Sequence, residues 1–146
     1  MATQPNTSGR KLLIMIGDGA SPENFAHYCS FNADRGFARE KATTDENDQD
    51  CDEPDLPGWL TRTTDSYSAN ITGSGRIKLG DVEFLDELFD DPNPRNIKVK
   101  IDMPGGRTYT GAYIMTNLTY TGPEQGSMTF DATFASSGPV VAADNA

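Results

Sequence analysis

The chain has 146 residues, enough for one domain with a single core. A net charge of -10 excludes a protein that grips nucleic acid by neutralising phosphates. The longest apolar run, Leu12 to Ile16, is far too short to cross a bilayer as a helix.

In chain order, residues 1–9 are polar and read as an N-terminal arm. Lys11 to Ile16 reads as a buried strand, stopped by the turn Gly17-Asp18-Gly19. Ser21-Pro22-Glu23 carries a helix-start signal good for a single turn. Phe25 to Asn32 and Phe37 to Thr43 both read as strands, and the turn Asp34-Arg35-Gly36 between them predicts a hairpin. Residues 44–57 form the most biased segment. Asp45, Glu46, Asp48, Asp50, Asp52, Glu53 and Asp55 supply seven acids and no base, which predicts a long solvated loop held open by self-repulsion. It lacks the glycine and the terminal acid, in register, of a calcium loop. Trp59, the sole tryptophan, is expected to anchor the base of that loop to the core.

Tyr67 to Leu79 alternates strictly. Its odd positions are apolar or glycine and its even positions polar, the mark of a strand with one buried and one wet face. It is taken as the central strand, and its wet face of Ser68, Asn70, Thr72 and Ser74 is small and smooth. Val82 to Phe89 (about 82–89) has helical spacing, with Val82, Leu85 and Phe89 on one face and Asp81 as cap. Ile97 to Met103, Arg107 to Tyr120 and Met128 to Phe134 complete the strands; a phase change near Ala112 to Met115 predicts a bulge. Residues 136–146 read as a C-terminal arm. The sum is a single domain of mainly β class, an antiparallel sandwich or open barrel with one short helix.

Catalytic chemistry is sparse. His27 stands alone, and no Cys-x-x-Cys or phosphate loop is present. Cys29 and Cys51 read as reduced thiols, since no secretion signal is recognisable. Leu13 to Gly19 resembles the first metal-ligand strand of alkaline phosphatases, but those enzymes need several histidines for two zinc ions. No catalytic, metal or cofactor residue is therefore assigned.

The order and spacing of the pieces carry a resemblance. Lys11 to Gly19, the strand pair Phe31 to Thr43, Pro57-Gly58-Trp59-Leu60, Ser68 to Gly75, and Gly122 to Pro139 together resemble the phage major tail tube proteins of long non-contractile tails, and the tail tubes of gene transfer agents. The resemblance implies a non-enzymatic virion protein, assembled in the host cytoplasm, whose hexameric rings stack into a hollow tube. It also implies other tail proteins at the tube ends, double-stranded DNA passing through without specific binding, and no membrane or cofactor. Ser68, Asn70, Thr72 and Ser74 are then the candidate lumen face. The acidic loop residues, with Arg76, Lys78, Lys98 and Lys100 as basic partners, are the candidate ring-stacking interface. The alternative is a monomeric β-sandwich that binds sugar or protein, with Asp48, Asp50 and Asp52 holding calcium.

Overall fold

A computed structural model describes residues 8–17, 25–28, 30–49 and 51–145, with the side chains of 26 and 27 excepted. The Gly17-Asp18-Gly19 turn beyond Gly17, the Ser21-Pro22 helix start, Cys29, Asp50, the His27 side chain and most of the N-terminal arm lie outside the described residues. Strands β1 (Leu12–Gly17), β2 (Phe25–His27), β3 (Arg35–Asp48) and β4 (Trp59–Arg76) precede helix α1 (Asp81–Asp90). Strands β5 (Arg95–Ile101), β6 (Arg107–Thr121), β7 (Thr129–Ser136) and β8 (Val141–Asp144) follow it.

The strands form one antiparallel open sheet in the order β2-β1-β5-β6-β7-β4-β3, with β8 pairing beside β7 on β6. The sheet curls enough for β1 to approach β3, and its ends stay unjoined. Inside the curl lies the core. Ile14 and Ile16 come from β1, Ile97 and Val99 from β5, Tyr113 and Met115 from β6. Phe130, Ala132 and Phe134 of β7 meet Ala69 and Ile71 of β4, and Leu85 and Leu88 of α1 close the cluster. These are the alternating apolar positions, so period-two patterning selects the buried face.

β4 is the longest strand but lies one in from the β3 edge rather than at the centre of the sheet; its odd face is buried from Ala69 to Gly75, while Tyr67 and Leu79, at the ends of the alternating stretch, are exposed. The glycines at Gly73 and Gly75 have a steric cause. Residues 30–34 cross directly over them. A Cβ on Gly75 would stand 1.9 Å from the Ser30 carbonyl oxygen, and one on Gly73 would stand 2.6 Å from the Phe31 ring. Hydrogen bonds fasten the crossing: Ala33 N to Ser74 O at 3.1 Å, Ser74 N to Asp34 O at 2.9 Å, and Arg76 N to Asn32 Oδ1 at 3.1 Å.

Helix α1 begins after Gly80, which takes φ 88° as its N-cap, a conformation that favours glycine. Asp81 is the first helical residue rather than the cap. Its carboxylate accepts from Lys78 N at 2.7 Å, Ser30 Oγ at 2.8 Å and Tyr28 Oη at 3.2 Å. It therefore ties the helix start to the turn before it and to the crossing segment. The bulge in β6 falls between Met115 and Asn117, just past the predicted position.

Four further local expectations change. The predicted hairpin of 25–32 with 37–43 does not form, because β2 pairs with β1 and β3 with β4. Residues 44–48 belong to β3 and pair with β4 out to Asp48↔Trp59, so the open loop shrinks to residues 49–58. Charge bias signals exposure, and an exposed two-stranded ribbon satisfies it as well as a loop. Trp59 does not reach the core; it is 88% exposed at the ribbon tip. The C-terminal arm is ordered through β8, where Val141 to Asp144 pair with Thr110 to Arg107.

Candidate assembly surfaces

The wet face of the sheet is built row by row. Opposed residues in an antiparallel pair share a face, so each register row places its side chains together. Ser74, Asp131 and Thr119 form one row; Gly36, Thr72, Thr133 and Asn117 form the next. Ala38, Asn70, Ala135 and Ile114 form a third, and Glu40 lies beside Ser68. The four sequence-read positions thus sit together, Ser68 and Thr72 exposed, Asn70 and Ser74 half-buried. Across these rows on β3, β4, β7 and β6 the side chains are hydroxyls, amides and small groups with Glu40, Asp131 and one larger apolar residue, Ile114, and no base. Arg76 stands at the end of the face, opposite Thr129. Asp131, Thr133, Asn117 and Thr119 were missed as members of the face. Their alternation was visible, but which strands adjoin β4 was not.

This four-strand surface has a free margin on each side. β3 is an edge strand along all of its 14 residues. At the opposite margin β5 pairs with β6 only as far as Tyr113, leaving residues 114–121 unpaired on that side. Exposed ladder edges are templates for further strands.

The second surface is the β3–β4 ribbon. β7 pairs with β4 no further than Asn70, so residues beyond Arg39↔Ala69 form two strands alone. At roughly 3.3 Å per residue the ribbon extends about 30 Å. Beyond its root it is exposed on both faces. Arg62 pairs with Asp45 at 3.2 Å, Thr61 Oγ1 donates to Asp48 at 2.7 Å, and Thr44 Oγ1 donates to Asp65. At the tip, Gln49 Nε2 donates to Pro54 O at 3.2 Å and Leu56 N to Glu53 O at 3.1 Å. Asp52, Glu53 and Asp55 occupy this tip beside the free, exposed Cys51.

The four candidate bases separate into two groups. Lys98 and Lys100 lie on β5; Lys98 sits 4.3 Å above the Phe25 ring and Lys100 is 3.9 Å from Asp102. Arg76 and Lys78 lie at the end of β4 opposite the tip and make no ion pair among the described residues. Among the described residues, no ion pair joins these four bases to Asp45, Glu46, Asp48, Glu53 or Asp55. Among the described residues, no group of three His, Cys, Asp or Glu side chains converges as a metal site.

Titration marks the interior rather than a reaction centre. Burial, and then the Asp81 charge, push the Tyr28 phenol well above its usual range. Burial alone pushes Tyr113 up to about 12, against a small opposing effect of Arg39. The Tyr113 hydroxyl is buried without a hydrogen-bond partner among the described residues.

An open antiparallel sheet with unpaired margins and a projecting ribbon defines a β-subunit with free edges. Its family follows from the sequence as a whole: residues 6–142 match the phage tail tube protein family, and the chain belongs to it. It is a structural tail tube protein of the virion tail. No curated protein matches it in sequence. Among solved structures it is similar to the tail of an empty gene transfer agent particle refined helically with C6 symmetry, at 22% identity and TM-score 0.77, covering 93% of this chain and 98% of that one. It is also similar to the tube-terminating cap of the anti-feeding prophage (11% identity, TM-score 0.63, 99% and 95% covered) and to the SPP1 tail tube (9%, 0.56, 96% and 80%).

Proposed function

We propose that six copies of this chain close into a ring and that rings stack into the tube through which DNA leaves the particle. The observation that carries this is the wet face spanning β3, β4, β7 and β6, free of bases short of Arg76 at its end, with an unpaired margin on each side. Four strands is an even number. A copy related by rotation about the tube axis presents its β6 antiparallel to β3, so the ladder continues around the ring without reversing. Closure removes the exposed edges that would otherwise promote aggregation. The wet face then lines the channel. Away from Arg76 at its end, this face offers phosphate no cation, and the two carboxylates per copy repel it at short range. The C6 symmetry of the similar gene transfer agent tail supports a ring of six. The similarity to a tube-terminating cap supports partners of related fold at the tube ends. Assembly takes place in the host cytoplasm, and the acidic ribbon contacts the adjacent ring.

Negative-stain electron microscopy of the purified chain tests the reading. Rings with a central hole, or tubes, are expected. A protein that stays monomeric at every concentration tried overturns it and favours the monomeric binding module.

A further inference from the structure

Resting on the ring reading, the outer side of each seam between copies holds a second contact. Helix α1 backs the free margin of β6. It packs on β6 more than on any other strand, Tyr120 Oη donates to Asp86 Oδ1 at 3.0 Å, and the chain leaves α1 into β5, the strand that flanks β6 on that margin. Leu118 and Tyr120 lie opposite the buried Ala132 and Phe130, so α1 covers the sheet face opposite the wet one. Leu85 and Leu88 are its buried stripe. Val82, Asp86 and Phe89 share the flank turned toward Tyr120, and Val82 and Phe89 stay 44% and 48% exposed. The helix carries five acids and no base, and its last turn sets Glu87 and Asp90 against the helix dipole. Such an end is stabilised by cations brought from elsewhere.

The other side of the seam is basic. Arg35, Phe37, Arg39 and Lys41 stand opposite Gly73, Ile71, Ala69 and Tyr67, so they share the face of β3 away from the wet rows. Arg39 and Lys41 are exposed, rest over the Tyr109 and Tyr67 rings, and make no ion pair among the described residues. With Tyr67, Pro139 and Val140 they line an open cleft. This basic row belongs to a chain of net charge -10. When β6 of one copy lies beside β3 of the next, the helix behind that β6 stands beside the row. We infer that across each seam of the ring α1 of one copy packs on the outer face of its neighbour's β3, covering Val82 and Phe89 and setting Asp86 and Asp90 against Arg39 and Lys41. The sheet ladder and the helix then hold the seam from its two sides. Backbone pairing alone accepts any bare strand edge. The opposed charges admit β6 to β3, while two β3 edges bring base to base and two β6 edges bring acid to acid, so closure into a ring is favoured over pairing of like edges.

Charge reversal in the full-length chain tests the contact. Arg39→Glu/Lys41→Glu sets acid against acid at every seam, and Asp86→Lys/Asp90→Lys sets base against base. Each variant alone is expected to sediment as a monomer. Mixed in equal amounts, the two are expected to close into rings of alternating copies, because every seam then joins opposite charges. Hydroxyl-radical footprinting of the wild-type chain reads the same contact without a substitution, and oxidation of Phe89 is expected to fall severalfold on ring formation. Rings from either variant alone, a mixture that stays monomeric while both variants melt as the parent does, or equal oxidation of Phe89 in rings and in the unassembled chain overturns the helix contact and leaves the ring standing. A wild-type chain that never forms rings overturns both.

Discussion

Asp81 shows how one side chain decides a local fold. The residue is only 8% exposed, and its carboxylate accepts three hydrogen bonds, from the Lys78 amide and from the Tyr28 and Ser30 hydroxyls of the segment between β2 and β3. Asp81→Ala leaves Ser30 and Tyr28 hydroxyls without that partner and frees the helix start. A loss of about 2–4 kcal/mol is expected, read as a lower denaturant midpoint. Tyr113 is the opposite case. Its buried hydroxyl has no partner among the described residues, so Tyr113→Phe removes a polar group that is desolvated without a compensating bond there. The variant is expected to be neutral or up to about 1 kcal/mol more stable by the same denaturation. The two tyrosines also set an alkaline limit. Their phenols titrate higher in the fold than in the unfolded chain, Tyr113 at about 12. Stability from this source is complete below about pH 10 and is lost as pH rises through the folded values. Unfolding followed from pH 8 to 12 is expected to show a falling midpoint only above about pH 10, less steep in Tyr113→Phe.

At the scale of the element, the β3–β4 ribbon separates from the body energetically. None of its residues from Lys41 to Tyr67 belongs to the core, whose β4 members are Ala69 and Ile71. The ribbon narrows cleanly at Thr44↔Thr63, a paired position. Replacing Asp45 to Arg62 with an Asn-Gly turn is therefore expected to leave thermal stability within about 1 kcal/mol of the parent. Circular dichroism melts measure that. In the microscope the same variant is expected to give rings and no tubes. Long tubes from it would make the ribbon dispensable for stacking.

For the whole molecule, the channel face makes a charge prediction. Thr72 and Thr133 lie in one row of the wet face. In a ring of six, Thr72→Lys or Thr133→Lys places a circle of ammonium groups toward the lumen, where each contacts phosphate. Tubes are expected to assemble normally, and DNA release from particles carrying the variant to slow, the delay shrinking as salt is raised. Unchanged release would place this face elsewhere than the channel.

Strand existence was legible because it depends on period-two alternation along a single stretch, as from Tyr67 to Gly75 or Ile97 to Ile101. The helix was legible for the same local reason, and the family through the order of the pieces. The role of Asp81 was half legible: its place at the helix start shows in the sequence, its bonds to Tyr28 and Ser30 across about fifty positions do not. Strand partners, the rows that join Asp131 and Thr133 to Thr72, and the position of Trp59 at a bare tip were settled only by tertiary structure. Patterning says which face of a strand is apolar. Which strand lies beside it is decided by packing between residues far apart in the chain, and that information is held by no single stretch of sequence.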